Sequence, residues 1–159
     1  GLTTTVARRL ALAGPELRDI TVAAALHDVG KIGVPAAILA KPGPLTVEEW
    51  TVMRRHPELG AKIMEPVPAL DGARRLVVAC HEHWDGSGYP RGLTGGDIPL
   101  GARVILACDA FHAMTSDRVY RAAMPIADAL AELRRCAGSH FDPDVTAALI
   151  EAVTESLGS

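Results

Sequence analysis

Three apolar runs in this chain each end on side chains that can bind a cation. Thr21-Val22-Ala23-Ala24-Ala25-Leu26 leads into His27-Asp28, Leu76-Val77-Val78-Ala79-Cys80 into His81-Glu82-His83, and Val104-Ile105-Leu106-Ala107-Cys108 into Asp109. An ionised carboxylate carried into an apolar interior is costly unless it is paired or bound to a metal. Three such deliveries suggest one shared site, most simply a metal centre. In a helix running on through residue 29, His27 and Lys31 lie four apart and Asp28 and Lys31 three apart, so all three reach one edge. Imidazole supplies a neutral ligand, and a carboxylate has two oxygens with which to bridge two cations. The bland alternative is an Asp28–Lys31 ion pair beside a core histidine. Asp109 is harder to dismiss, because seven of the eight residues of Val104–Phe111 are apolar and no base stands within helical reach. His56, in Arg54-Arg55-His56-Pro57-Glu58, reads by itself as a surface histidine at a helix junction. His83, His112 and His140 carry no signal of their own.

The elements that must position these groups read as helices. The spacing predicts helices over 3–13 and 16–29, broken by Gly14-Pro15. A short turn fits 35–40, and Lys41-Pro42-Gly43-Pro44 is a loop. Thr46 followed by Glu49 is a capping box opening a helix that ends near His56. Pro57 suits the first turn of the next helix, to about Glu65. Helices follow over 69–83, 101–115, 125–137 and from Asp142-Pro143 to about 156. Residues 84–100, with Asp85-Gly86-Ser87-Gly88-Tyr89-Pro90 and then Gly92, Gly95, Gly96 and Pro99, form a loop of unusual length, and such loops are usually functional. No stretch alternates as a strand, so the expected fold class is all-α.

Composition sets the outer limits. The 159 residues fit one domain, large enough to bury roughly 70% of the unfolded surface. Aromatics make up 4% of the chain, so aliphatic side chains and alanine must fill the core. A net charge of -3 gives no general attraction to a nucleic acid polymer or an anionic membrane, so an anionic ligand needs a local basic cluster. Cys80, Cys108 and Cys136 are an odd, widely spaced set in apolar contexts, which favours a reduced, cytoplasmic setting over disulfides. No apolar run is long enough to insert into a membrane, and no signal peptide is evident. The chain opens inside a helical pattern, so residues 1–159 are expected to be a single domain truncated at its N-terminal edge.

Taken together, His27-Asp28-Val29-Gly30-Lys31, Arg55-His56-Pro57-Glu58, the run from His81 through Trp84 to Pro90, and Asp109 through Ser116-Asp117-Arg118-Val119-Tyr120-Arg121 resemble the HD-GYP family. This is the subgroup of HD-superfamily metal phosphohydrolases that degrades the bacterial second messenger cyclic di-GMP. The resemblance runs from about residue 16 to the end, and the DGSGYP string in order with HDVGK is highly specific. It implies an all-α HD-superfamily helical bundle with a GYP loop. It implies metal ligation by His27, Asp28, His56, His81 and Asp109, with Asp28 bridging, and two or three divalent ions, commonly iron or manganese. It implies metal-dependent hydrolysis of cyclic di-GMP to pGpG, GMP or both, with Asp28 and Lys31 catalytic and Lys31 stabilising the anionic transition state. Gly88, Tyr89 and Pro90 would shape the substrate edge, while Lys41, Arg118 and Arg121 would grip phosphate or guanine. An N-terminal receiver or sensory domain and a homodimer are the implied partners.

The chain departs from the family pattern in three places. Cys80 stands where the family usually has a histidine. As a thiolate it would ligate iron or zinc, and as a thiol it would be a small core residue. The family's upstream histidine, often preceded by glutamate, has no counterpart, since residues 1–15 contain no His, Asp or Glu. His112 replaces a common aspartate. These departures define the alternative function, a catalytically degenerate module that binds cyclic di-GMP or a partner protein without turnover.

Overall fold

The computed structural model describes residues 1–117 and 122–158, and within them it contains helices and no strand. The elements are α1 (Leu2–Arg9), α2 (Gly14–Leu26), α3 (Ala36–Leu39), α4 (Val47–Met53), α5 (His56–Met64), α6 (Asp71–Ala79), α7 (Leu100–Thr115), α8 (Ile126–Cys136) and α9 (Pro143–Leu157). Short 3-10 turns occupy Val29–Gly33, Pro68–Leu70 and Gly95–Asp97. The all-α expectation therefore holds.

Local chemistry sets several boundaries. Thr46 accepts from the Glu49 backbone while the Glu49 carboxylate accepts from the Thr46 backbone, which is the capping box expected at the head of α4. Asp142 caps α9 by accepting from the Asp144 and Val145 amides, with Pro143 at the first helical position. The α1–α2 connection turns through Ala11 (φ 60°) and Gly14 (φ 52°), the left-handed region where glycine is at ease.

Helix α7 is the hub, packing against α1, α2, α6, α8 and α9. Its sequence is apolar almost all round, which suits a helix enclosed by others. Ile20, Val77, Val104, Leu133 and Leu149, from five different helices, are each at most 1% exposed. Alanine recurs among them at 7, 23, 73, 107, 129, 148 and 152, and Phe111 and Phe141 are the phenylalanines of the cluster. An aliphatic and alanine core was the expectation from composition.

Several boundaries differ from the sequence reading, among them the end of α1 at Arg9 rather than 13, and two matter for function. Helix α2 ends at Leu26 rather than 29, and Asp28 heads the turn Val29–Gly33. That turn packs closely on α5: a Cβ on Gly30 would lie 1.9 Å from the His56 carbonyl oxygen and 2.4 Å from the Gly60 nitrogen. Two backbones meet there, leaving no room for a side chain at position 30. Helix α6 ends at Ala79 rather than 83, which frees His81–His83 to leave the helical path.

Candidate metal centre and its loop

Four elements converge at the C-terminal end of α2. Each site histidine with a fixed ring is held from behind by backbone. His27 Nδ1 donates to the Ala24 carbonyl at 2.9 Å and His56 Nδ1 to the Met53 carbonyl at 2.9 Å. This leaves each Nε2 facing the site, the arrangement that orients ligating imidazoles. His56, expected at a surface, is 1% exposed, because the Gly30 crossing draws the head of α5 inward.

His56 Nε2 and His81 Nε2 approach to 2.9 Å, with the rings edge to face. Burial pushes the His56 pKa down, and burial with the neighbouring His56 pushes His81 down to about 4. Both rings are therefore neutral at pH 7, the form that ligates. Asp28 Oδ1 lies 3.6 Å from His56 Nε2 and is buried without a hydrogen-bond partner. Its other oxygen, Oδ2, accepts from Lys31 Nζ at 2.7 Å and lies 3.7 Å from His27 Nε2. The Asp28–Lys31 pair of the bland reading thus exists, yet it uses only one carboxylate oxygen.

His27 Nε2 also lies 3.6 Å from Asp109 Oδ1. The interaction with Asp109 raises the His27 pKa against the opposing effect of burial, and His27 in turn lowers that of Asp109. The base that local spacing could not find for Asp109 arrives from α2. Among the described residues, Asp28, His56 and His81 bring one ligand atom each to within 4.8 Å of one another. An orphaned carboxylate oxygen beside a pair of neutral imidazoles fits a divalent cation by charge and by donor type.

Cys80 does not join that group. It is 1% exposed, its Sγ donates to the Val77 carbonyl at 3.1 Å, and burial pushes its pKa up to about 12. At neutral pH it is a thiol within the core. Lys41 binds Glu49, the capping-box carboxylate, at 2.5 Å. Arg118 and Arg121 lie outside the described residues. The His83 and His140 rings lie tilted with centroids 3.8 Å apart, and His112 contacts Ser116 and lines a pocket with His27 and Asp109.

The loop after α6 closes over the site. Tyr89 stacks on His81 with ring centroids 5.1 Å apart and planes 7° from parallel, and its amide donates to the His81 carbonyl at 3.1 Å. Gly88 has no room for a side chain, since a Cβ would stand 2.2 Å from the His83 nitrogen. Pro90 follows through a cis peptide.

Two contributors escaped the sequence reading. Glu82 is 1% exposed and accepts from the amides of Arg91 at 2.7 Å and Leu93 at 3.0 Å, anchoring the far side of the loop. An acidic residue between an apolar helix and a glycine-rich loop was the available signal. Arg54 lies over the Tyr89 ring, and its four-residue spacing from Trp50 on α4 could have drawn attention to it.

The HD domain family matches residues 1–145. A cyclic di-GMP phosphodiesterase of Thermotoga maritima is 37% identical over 152 residues, covering 94% of this chain and 41% of the relative. The 3'3'-cGAMP-specific phosphodiesterase 3 of Vibrio cholerae is 40% identical over 148 residues, covering 93% of this chain and 32% of the relative. The chain thus spans about a third to two fifths of the length of these relatives. The solved structure of Bd1817, an HDG"Y"P protein from Bdellovibrio bacteriovorus, superposes with a TM-score of 0.75 at 20% identity, over 96% of this chain and 49% of that one. With His27-Asp28 at the end of α2 and Gly88-Tyr89-Pro90 folded onto His81, the chain belongs to the HD domain family, in its HD-GYP branch.

Proposed function

We propose that this chain is a metal-dependent phosphodiesterase that hydrolyses cyclic di-GMP to pGpG, GMP or both. The observation that carries the reading is Asp28 Oδ1, a buried carboxylate oxygen without a hydrogen-bond partner, 3.6 Å from His56 Nε2 in a group that also includes His81. In this reading His27, Asp28, His56, His81 and Asp109 would hold two or three ions, iron or manganese, and Asp28 could serve more than one because its oxygens face different partners. Bound divalent ions supply positive charge that polarises a phosphodiester and acidifies water.

The remaining roles belong to the chain itself. Lys31 holds its ammonium beside Asp28 and adds positive charge where a phosphate oxygen would gain negative charge. Tyr89, with burial pushing its pKa up to about 12, keeps its phenolic proton at neutral pH and remains a donor. Its ring covers one face of His81 and keeps water from it. Gly88 and Pro90 fix the path of the loop, and Lys41, Arg118 and Arg121 complete the substrate-binding set.

A second substrate is favoured by one observation: a relative matched over 93% of this chain is named for 3'3'-cGAMP. The test is turnover of both cyclic dinucleotides by anaerobically purified protein supplied with Fe²⁺ or Mn²⁺, with Asp28→Ala as control. Product from the wild type alone, and faster from cyclic di-GMP, is the expected result. Faster turnover of 3'3'-cGAMP would reassign the substrate. Nucleotide binding without product in either case would identify the degenerate module.

A further inference from the structure

We propose that Arg54 is a substrate-binding residue that grips a phosphate of the nucleotide at the rim of the metal cluster, held in place by the rings of Trp50 and Tyr89. The inference rests on the reading of this site as a cyclic dinucleotide site. Its starting point is a stack running outward from the cluster. Tyr89 lies on His81 at 5.1 Å, the Arg54 guanidinium carbon lies 5.6 Å from the Tyr89 centroid, and the same carbon lies 5.9 Å from the Trp50 centroid.

Arg54 closes the C-terminal end of α4, one turn beyond Trp50, so both side chains share a face. Trp50 is 43% exposed, a large apolar surface left towards water that the cation above it partly covers. A guanidinium attracted to ring faces keeps its in-plane N–H groups available, and these match the oxygens of phosphate in a fixed fork.

Of the described cations assigned to the substrate, Lys31 also bonds Asp28 Oδ2 and Lys41 also bonds Glu49, so each shares its charge with a carboxylate. Among the described residues Arg54 has no carboxylate partner, while Arg9, Arg74, Arg103 and Arg135 each have one. A planar, permanently charged group beside a metal cluster, held in place by rings and free along its edge, is suited to an anionic ligand. Phosphate is the anion that the proposed substrate carries.

The test measures equilibrium binding of cyclic di-GMP and its turnover for wild type, Arg54→Ala, Arg54→Lys and Trp50→Ala, with metal content and circular dichroism recorded for each. Arg54→Ala is expected to weaken binding on the order of tenfold or more with metal content unchanged. Arg54→Lys is expected to recover only part of this, since charge returns without the fork, and Trp50→Ala to cost less than Arg54→Ala. A dissociation constant for Arg54→Ala within twofold of wild type would overturn the proposal, as would full recovery by lysine. Wild-type protein that binds but does not hydrolyse would refute the catalytic reading while leaving the Arg54 measurement valid. Wild-type protein that does not bind would overturn both.

Discussion

Asp28 is where residue-scale chemistry is sharpest, because one carboxylate faces two sets of partners. Its Oδ2 is satisfied by Lys31 and its Oδ1 is not satisfied by any hydrogen bond. Asp28→Ala should abolish metal uptake and hydrolysis while circular dichroism stays unchanged, since Asp28 heads a turn and is not part of the core. Equal metal in variant and wild type by elemental analysis would refute this assignment. Cys80→Ser should leave metal content within about twofold, because its thiol points to the Val77 carbonyl. His81 makes a pH prediction. Its folded-state pKa of about 4 lies below the ordinary 6.5, so as pH falls the unfolded chain takes up the proton first. The contribution is complete above pH 6.5 and is lost as pH falls towards 4, by about 3 kcal/mol in metal-free protein. His27 shifts the other way, so the comparison is with His81→Gln. Urea midpoints in chelator from pH 7 to 4.5 should fall more steeply for wild type than for the variant. His27, Asp28, His81 and Asp109 were legible as a cluster because each ends or interrupts an apolar run. The burial of His56 was not, because it is set by a backbone crossing at Gly30, twenty-six residues away in the sequence.

At the scale of elements, the informative piece is the segment that follows α6. The periodicity of 69–83 reads as one helix, yet the helix stops at Ala79 so that the His81 carbonyl can receive Tyr89 and Glu82 can turn inward. No window of local sequence contains that competition, since the partners lie eight to eleven residues further on. The capping box of α4 was legible for the opposite reason: all its chemistry lies within four residues. Glu82→Ala should leave the part-buried Arg91 and Leu93 amides without acceptors, costing about 2 kcal/mol. The loss should be accompanied by faster proteolysis within 84–100. An unchanged urea midpoint and cleavage pattern would show that the loop is held by other means.

Over the whole molecule, the connection between loop and bundle passes through Arg103 on α7. Its Nε donates to the Ile98 carbonyl, its Nη1 bonds the α9 cap Asp142 at 2.6 Å, and its guanidinium lies over Trp84. With Asp142 only 4% exposed, Arg103→Ala leaves a buried carboxylate without its charge partner and should cost about 3 kcal/mol. For a chain of this size that corresponds to a fall in Tm of roughly 6–12 °C by calorimetry. A shift of less than 2 °C would mean that Asp142 finds another partner. The helical class and the makeup of the core were readable from composition and periodicity, whereas this rivet joins residues thirty-nine apart and was not.

The bond from the Tyr89 amide to the His81 carbonyl has a consequence for how this chain can change over generations. It closes residues 81–89 into a ring whose ends also stack face to face. Lengthening that ring by one residue would part the Tyr89 ring from the histidine beneath it, so its length is as constrained as its letters. Residues 42–45 donate no such backbone bond, and insertions and deletions among functional descendants should gather there and spare the ring.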